Sequence, residues 1–119
     1  MAKGLTILLK TGPMMSMEPN TAIKLAKAAL NRGYNVNIFC YGEGVLSIKK
    51  NQAPKRFPNV GQELVELAEK GVKIAVCETC SIARGLHHGE EIAGTKIGSL
   101  TKDFVEFLDG TDRLITLGR

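Results

Sequence analysis

Short apolar runs alternate with amphipathic stretches along this chain, and a glycine or proline marks most of the changes between them. The run Leu5-Thr6-Ile7-Leu8-Leu9 comes first, so residues 4–10 read as a buried strand that Gly12-Pro13 interrupts. Across residues 19–32, Ile23, Ala26 and Leu30, with Ala22 and Ala29, recur at helical spacing. Glu18 or Asn20 is the candidate cap of this helix, and Gly33 its stop. Residues 35–41 predict a second strand, in which Asn35 and Asn37 alternate with Val36 and Ile38 ahead of Phe39-Cys40. After Gly42-Glu43-Gly44, residues 45–48 read as a helical turn. Residues 51–59, polar and holding two prolines, read as an irregular surface loop.

The second half repeats the scheme. Residues 62–70 predict a helix with Leu64, Leu67 and Ala68 on one face, closed by Gly71. Residues 72–76 predict a short buried strand that runs directly into Cys77, and residues 81–84 one or two helical turns ended by Gly85. Residues 86–95 follow neither period, and Lys96-Ile97 marks a fifth strand. A fourth helix over residues 100–108 fits the apolar set Leu100, Phe104, Val105 and Leu108, with Ser99 or Thr101 as cap and Gly110 as stop. Residues 113–117 form the last strand. Strands alternating with helices predict an α/β fold, a mainly parallel sheet covered on both faces, because parallel connections require crossovers. At 119 residues the chain reads as one domain, 1–119, without internal repeats.

Composition narrows the function classes. With no Trp, two Tyr and four Phe, stacking surfaces for nucleic acid are scarce, so direct nucleic-acid binding is not expected. The net charge of +4 is ordinary for a soluble domain; its densest part is Lys49-Lys50 with Lys55-Arg56, a solvated face or a contact for an acidic partner or RNA phosphates. The first apolar run is too short to span a membrane and has no cleavage pattern beside it, which predicts a cytoplasmic chain with reduced cysteines. Met14, Met15 and Met17 form an adaptable apolar cluster that suits core filling and a partner-facing patch equally.

The chemistry concentrates in Cys77-Glu78-Thr79-Cys80. Ligands and reactive groups collect at the carboxyl ends of strands in open α/β sheets, where Cys77 falls. A helix start there lowers a thiol pKa, Arg84 adds positive charge and Glu78 opposes both, which leaves the net sign open. Cys80 lies one helical turn on, close enough for a disulfide or for resolving a persulfide. Each cysteine also has a bland reading as a small buried hydrophobe, which is the better one for Cys40. A metal site from the two cysteines with His87-His88 is weak, since adjacent histidines diverge and no second Cys-x-x-Cys exists. No Walker A, dinucleotide fingerprint or Gly-x-Ser-x-Gly elbow is present.

The order and spacing of several short motifs resemble the DsrE-like family, which includes sulfur-relay subunits. These are Thr11-Gly12-Pro13, Phe39-Cys40-Tyr41-Gly42-Glu43-Gly44-Val45, Cys77 with Ala83-Arg84-Gly85, Gly98-Ser99-Leu100 and Asp112-Arg113-Leu114. The resemblance spans nearly the whole chain. It implies a three-layer α/β/α domain of five mainly parallel strands, assembling as trimers or hexamers or with related subunits, with no metal or organic cofactor. It implies that a cysteine persulfide passes sulfur from a donor protein to an acceptor protein, in sulfur metabolism or tRNA thiolation. The family's persulfide cysteine stands eight residues before the Gly of Arg-Gly, as Cys77 does before Gly85. Cys80 departs from the sulfur-relay pattern, which has an apolar residue there. Three readings therefore stand: a sulfur carrier on Cys77, a Cys77–Cys80 thiol-disulfide oxidoreductase, and a structural or regulatory subunit with inert thiols.

Overall fold

The computed structural model describes residues 3–118. Its elements run β1 (Gly4–Leu9), α1 (Glu18–Asn31), β2 (Asn35–Cys40), a 3₁₀ segment (Gly42–Ile48), α2 (Val60–Glu69), β3 (Lys73–Cys77), α3 (Glu78–Ala83), β4 (Thr95–Gly98), a π-helical turn (Leu100–Phe104), α4 (Val105–Asp109) and β5 (Arg113–Leu117). The five strands form one sheet in the order β4-β3-β2-β1-β5, with every pairing parallel. Steps from β1 to β4 all run in one direction, and right-handed crossovers keep their connections on one face; the return to β5 sends the last connection over the other face.

Register and strand alternation decide what each face buries. Ile7, Ile38 and Ile74 line up across three strands, and their face packs under Ala22, Ile23 and Ala26 of α1 and Leu64 and Leu67 of α2. Each Ile or Leu side chain in this set, removed from water, contributes about 2 kcal/mol of gross burial free energy, and each Ala well under half of that. The opposite face presents Thr6, Leu8, Phe39 and Ala75 to the shorter α4 segment. Phe39 is fully buried there, its ring 5.1 Å from that of Phe104 and 6.4 Å from that of Phe107, and the Thr6 hydroxyl donates to the Phe107 carbonyl at 3.1 Å.

Local starts and stops differ in part from the sequence expectation. Neither Glu18 nor Asn20 caps α1: Met17 holds the cap position without a side-chain bond, and the Ser16 hydroxyl accepts from the Glu18 N–H at 3.2 Å. At the fourth helix Ser99, not Thr101, is the cap, accepting from the Lys102 N–H at 3.1 Å. The Asp103 carboxylate reaches back to the Ser99 N–H and the Lys96 ammonium, each at 2.7 Å. Burial pushes that carboxyl up, but Lys96 and the Ser99 amide outweigh it and hold Asp103 below the usual carboxylate range. A Cβ at Gly98 would run into the Asp103 carboxylate, so the motif Gly98-Ser99 is a packing requirement. Residues 86–94 stay irregular except for a bridge between Lys49 and Glu91, and Thr95 already belongs to β4.

Candidate functional site

Cys77 is at once the last residue of β3 and the N-cap of α3, with φ −69° and ψ 121°. Its Sγ accepts from the Cys80 N–H at 3.5 Å, and the buried Ser81 hydroxyl donates to its carbonyl at 2.8 Å. These two bonds fix both ends of the residue. All three cysteines are free thiols: Cys40 and Cys77 are buried and Cys80 is half-buried. Cys77 keeps 6% of its surface exposed.

Burial is the largest influence on the Cys77 thiol and pushes it above 9.0; the Cys80 N–H pulls it down, and the Cys80 thiol pushes it up again. The net direction is upward, so the lowering expected from the helix start is outweighed by desolvation. Cys40, packed in the core, is pushed up to about 12 by burial alone, in keeping with its bland reading. In the native chain Cys80 should therefore alkylate first, and Cys77 more slowly than in the unfolded chain, its rate climbing as pH rises above neutral. Cys40 should stay unmodified until the chain unfolds. A timed iodoacetamide reaction with peptide mass mapping checks this order; equal native rates for Cys40 and Cys80 would contradict the burial pattern.

The charged neighbours are placed differently from what spacing alone indicated. Arg84 directs Nε to Glu43 Oε1 at 2.8 Å and Nη1 to the Cys80 carbonyl at 3.1 Å. Its charge is matched by a carboxylate, and the side chain braces α3 against the 3₁₀ segment. Glu78 turns away to His88, with Nε2 2.5 Å from Oε2, while the ring of His88 stays largely exposed. His87 and His88 do not join the cysteine pair, and no group of His, Cys, Asp and Glu able to hold a metal forms among the described residues. Two residues that sequence reasoning missed matter here. Ser81, four after Cys77, carried a readable i,i+4 signal for bonding a carbonyl; Glu43, 41 residues from Arg84, carried none.

Two hollows open at the same carboxyl end of the sheet. One, about 680 Å³, is walled by Lys10, Thr11, Tyr41 and Glu43. Glu43 thus belongs both to this cleft and to the Arg84 brace. The other, about 500 Å³, lies between the loop after β1, with its exposed methionines, and the loop of residues 51–59.

Comparison with known proteins agrees with this architecture. The chain is 32% identical to the protein MJ0989 of Methanocaldococcus jannaschii over 111 residues, covering 93% of this chain and 96% of that one. It is also 32% identical to MK0008 of Methanopyrus kandleri, covering 93% and 91%. Among solved structures, the ychN protein of E. coli superposes with a TM-score of 0.87 at 24% identity, covering 98% of this chain and all of that one. MTH1491 of Methanobacterium thermoautotrophicum superposes at 0.77 with 13% identity, over 97% and 99%. Both likenesses show the same three-layer fold, and the family model described as DsrE/DsrF-like matches residues 3–117. With sequence relatives, fold and family model in agreement over almost its full length, the chain belongs to the DsrE/DsrF-like family.

Proposed function

We propose that this DsrE-type chain, acting as one domain, is a sulfur carrier that holds sulfane sulfur on Cys77 as a persulfide. The observation that carries the reading is the seat of Cys77, a strand-end thiol capping α3 with Sγ facing a backbone N–H. That N–H favours the anionic form of whatever sulfur stands there. In loading, the Cys77 thiolate attacks the outer sulfur of a donor persulfide. The donor's S–S bond breaks, its thiolate leaves and takes up a proton, and a new S–S bond forms on Cys77. Unloading is the same exchange with an acceptor thiolate, and neither step needs a cofactor or net oxidation. Arg84 supports the site by fixing the Cys80 carbonyl.

Partners in this reading are a donor protein and an acceptor protein, and further copies of this chain or related ones in a trimer or hexamer. Support for assembly comes from β5, an edge strand that leaves Leu114 47% and Ile115 36% exposed beside open backbone groups. The described residues include no helix long and apolar enough to cross a membrane; a reducing cytoplasmic setting suits the three free thiols.

Incubation with inorganic polysulfide, followed by intact and peptide mass analysis, tests the proposal. One added sulfur on Cys77, released by a thiol reductant, is the expected result; no addition, or addition confined to Cys80, overturns it. A second reading is favoured by the Cys80 thiol lying beside that of Cys77. In it the pair forms a reversible disulfide and works as a thiol-disulfide oxidoreductase.

A further inference from the structure

We propose that the hollow between the loop after β1 and the loop of residues 51–59 docks an acidic peptide segment of a partner protein. Its apolar side chains enter the hollow and its carboxylates meet the basic rim. This inference stands apart from the thiol chemistry and does not depend on it.

The hollow encloses about 500 Å³, within the range of built binding sites. Met14, Met15 and Met17 line one wall, and Pro54, Phe57 and Pro58 the other. Met14 is 67% exposed, Met15 64%, Met17 61% and Phe57 55%. A single exposed large apolar side chain is unremarked on most proteins; four converging on one hollow form a patch of the kind that marks an interaction site. The two walls are suited to a peptide in different ways. Methionine side chains adapt to irregular apolar shapes, whereas prolines hold the opposing wall in place.

Charge selects the partner. Lys55 and Arg56, which stand between Pro54 and Phe57 in sequence, and Lys50, two residues before Gln52, are exposed and make no ion pair among the described residues, whereas the neighbouring Lys49 lies 3.9 Å from Glu90. On the methionine side the carboxylate of Glu18 is engaged by the hydroxyls of Thr11 at 3.1 Å and Ser16 at 3.3 Å. The proline side thus carries positive charge without a paired carboxylate next to apolar depth. RNA would need stacking surfaces, and Phe57 is the lone aromatic side chain among the residues lining the hollow. An extended or helical acidic peptide with apolar anchors satisfies both properties at once.

The test uses the full chain and a fluorescently labelled synthetic peptide that carries Leu and Phe among Glu residues. A second peptide replaces every Glu by Lys, and phosphatidylglycerol vesicles form a third arm. Anisotropy should show saturable binding of the acidic peptide, weakened about tenfold by Lys55→Glu with Arg56→Glu and by a similar factor in Phe57→Ala. Raising salt should weaken binding to the unaltered chain and leave binding to the charge-reversed one unchanged or stronger, because there it screens a repulsion. Equal binding of acidic and basic peptides, or an unchanged affinity in the charge-reversed chain, overturns the proposal. So does vesicle capture that exceeds peptide binding and falls with the same substitutions, which would make the hollow a membrane contact. A change in sedimentation caused by Phe57→Ala without peptide overturns it too, because the occupant would then be a second copy of this chain.

Discussion

Cys77→Ser should take up less sulfur from polysulfide than the unaltered chain, with none at residue 77, while keeping the fold and stability of the unaltered chain to within about 1 kcal/mol. The separation of the two effects follows from the cap. Serine is among the best N-cap residues, so its hydroxyl takes over the bond that Cys77 Sγ accepts from the Cys80 N–H and α3 keeps its start. What is lost is only the soft nucleophile. Cys80→Ser is the informative counterpart. If Cys80 discharges the persulfide, its thiolate attacks Cys77 Sγ, hydrosulfide leaves, and a Cys77–Cys80 disulfide remains that an external dithiol must reduce. In a carrier of that kind Cys80→Ser retains its sulfur longer than the unaltered chain, and no disulfide accumulates. Equal loading of Cys77→Ser and the unaltered chain, measured by intact mass, would remove Cys77 from the mechanism.

The largest structural effect is expected at Phe39. Phe39→Ala should cost about 4 kcal/mol, measured as the shift in urea denaturation followed by far-UV circular dichroism. The ring is fully buried between β2 and the rings of Phe104 and Phe107, on the face that α4 covers with few residues. Little surrounding structure can collapse into the space. Phe57→Ala, at an exposed ring, provides the contrast and should change stability by less than about 0.5 kcal/mol. Similar costs at the two positions would contradict the packing described for the face that α4 covers.

The parts of the fold that could be read in the sequence are those whose signal is local. Period-two strands at residues 35–40 and helical spacing at residues 60–69 need only neighbours along the chain, and both elements lie where expected to within two or so residues. The four-residue β4 showed only as Lys96-Ile97, because a strand that short carries barely one alternation. Caps were harder. Ser16, two residues before Glu18, supplies the hydroxyl at the start of α1, and the wide turn at Leu100–Phe104 moves the fourth helix off ordinary spacing. In the candidate site, the position of Cys77 at a strand end was legible, while its burial and the pairing of Arg84 with Glu43 were not. Both depend on how distant segments meet, and a hydrogen bond across 41 residues leaves no trace in local pattern.

The strand order has a consequence for how the chain is made. β1, first in sequence, lies inside the sheet, and its second neighbour is β5, so that Leu5 pairs with Arg113 and Leu9 with Leu117. Until residues 113–117 have been synthesised, the edge carrying Leu5, Ile7 and Leu9 has no partner of its own and offers other strands a place to pair. Loop closure between such remote segments is slow, which places the vulnerable interval late in translation, when the rest of the sheet is already able to form. A nascent chain arrested just short of residue 113 would thus be more exposed to misassembly than one arrested much earlier.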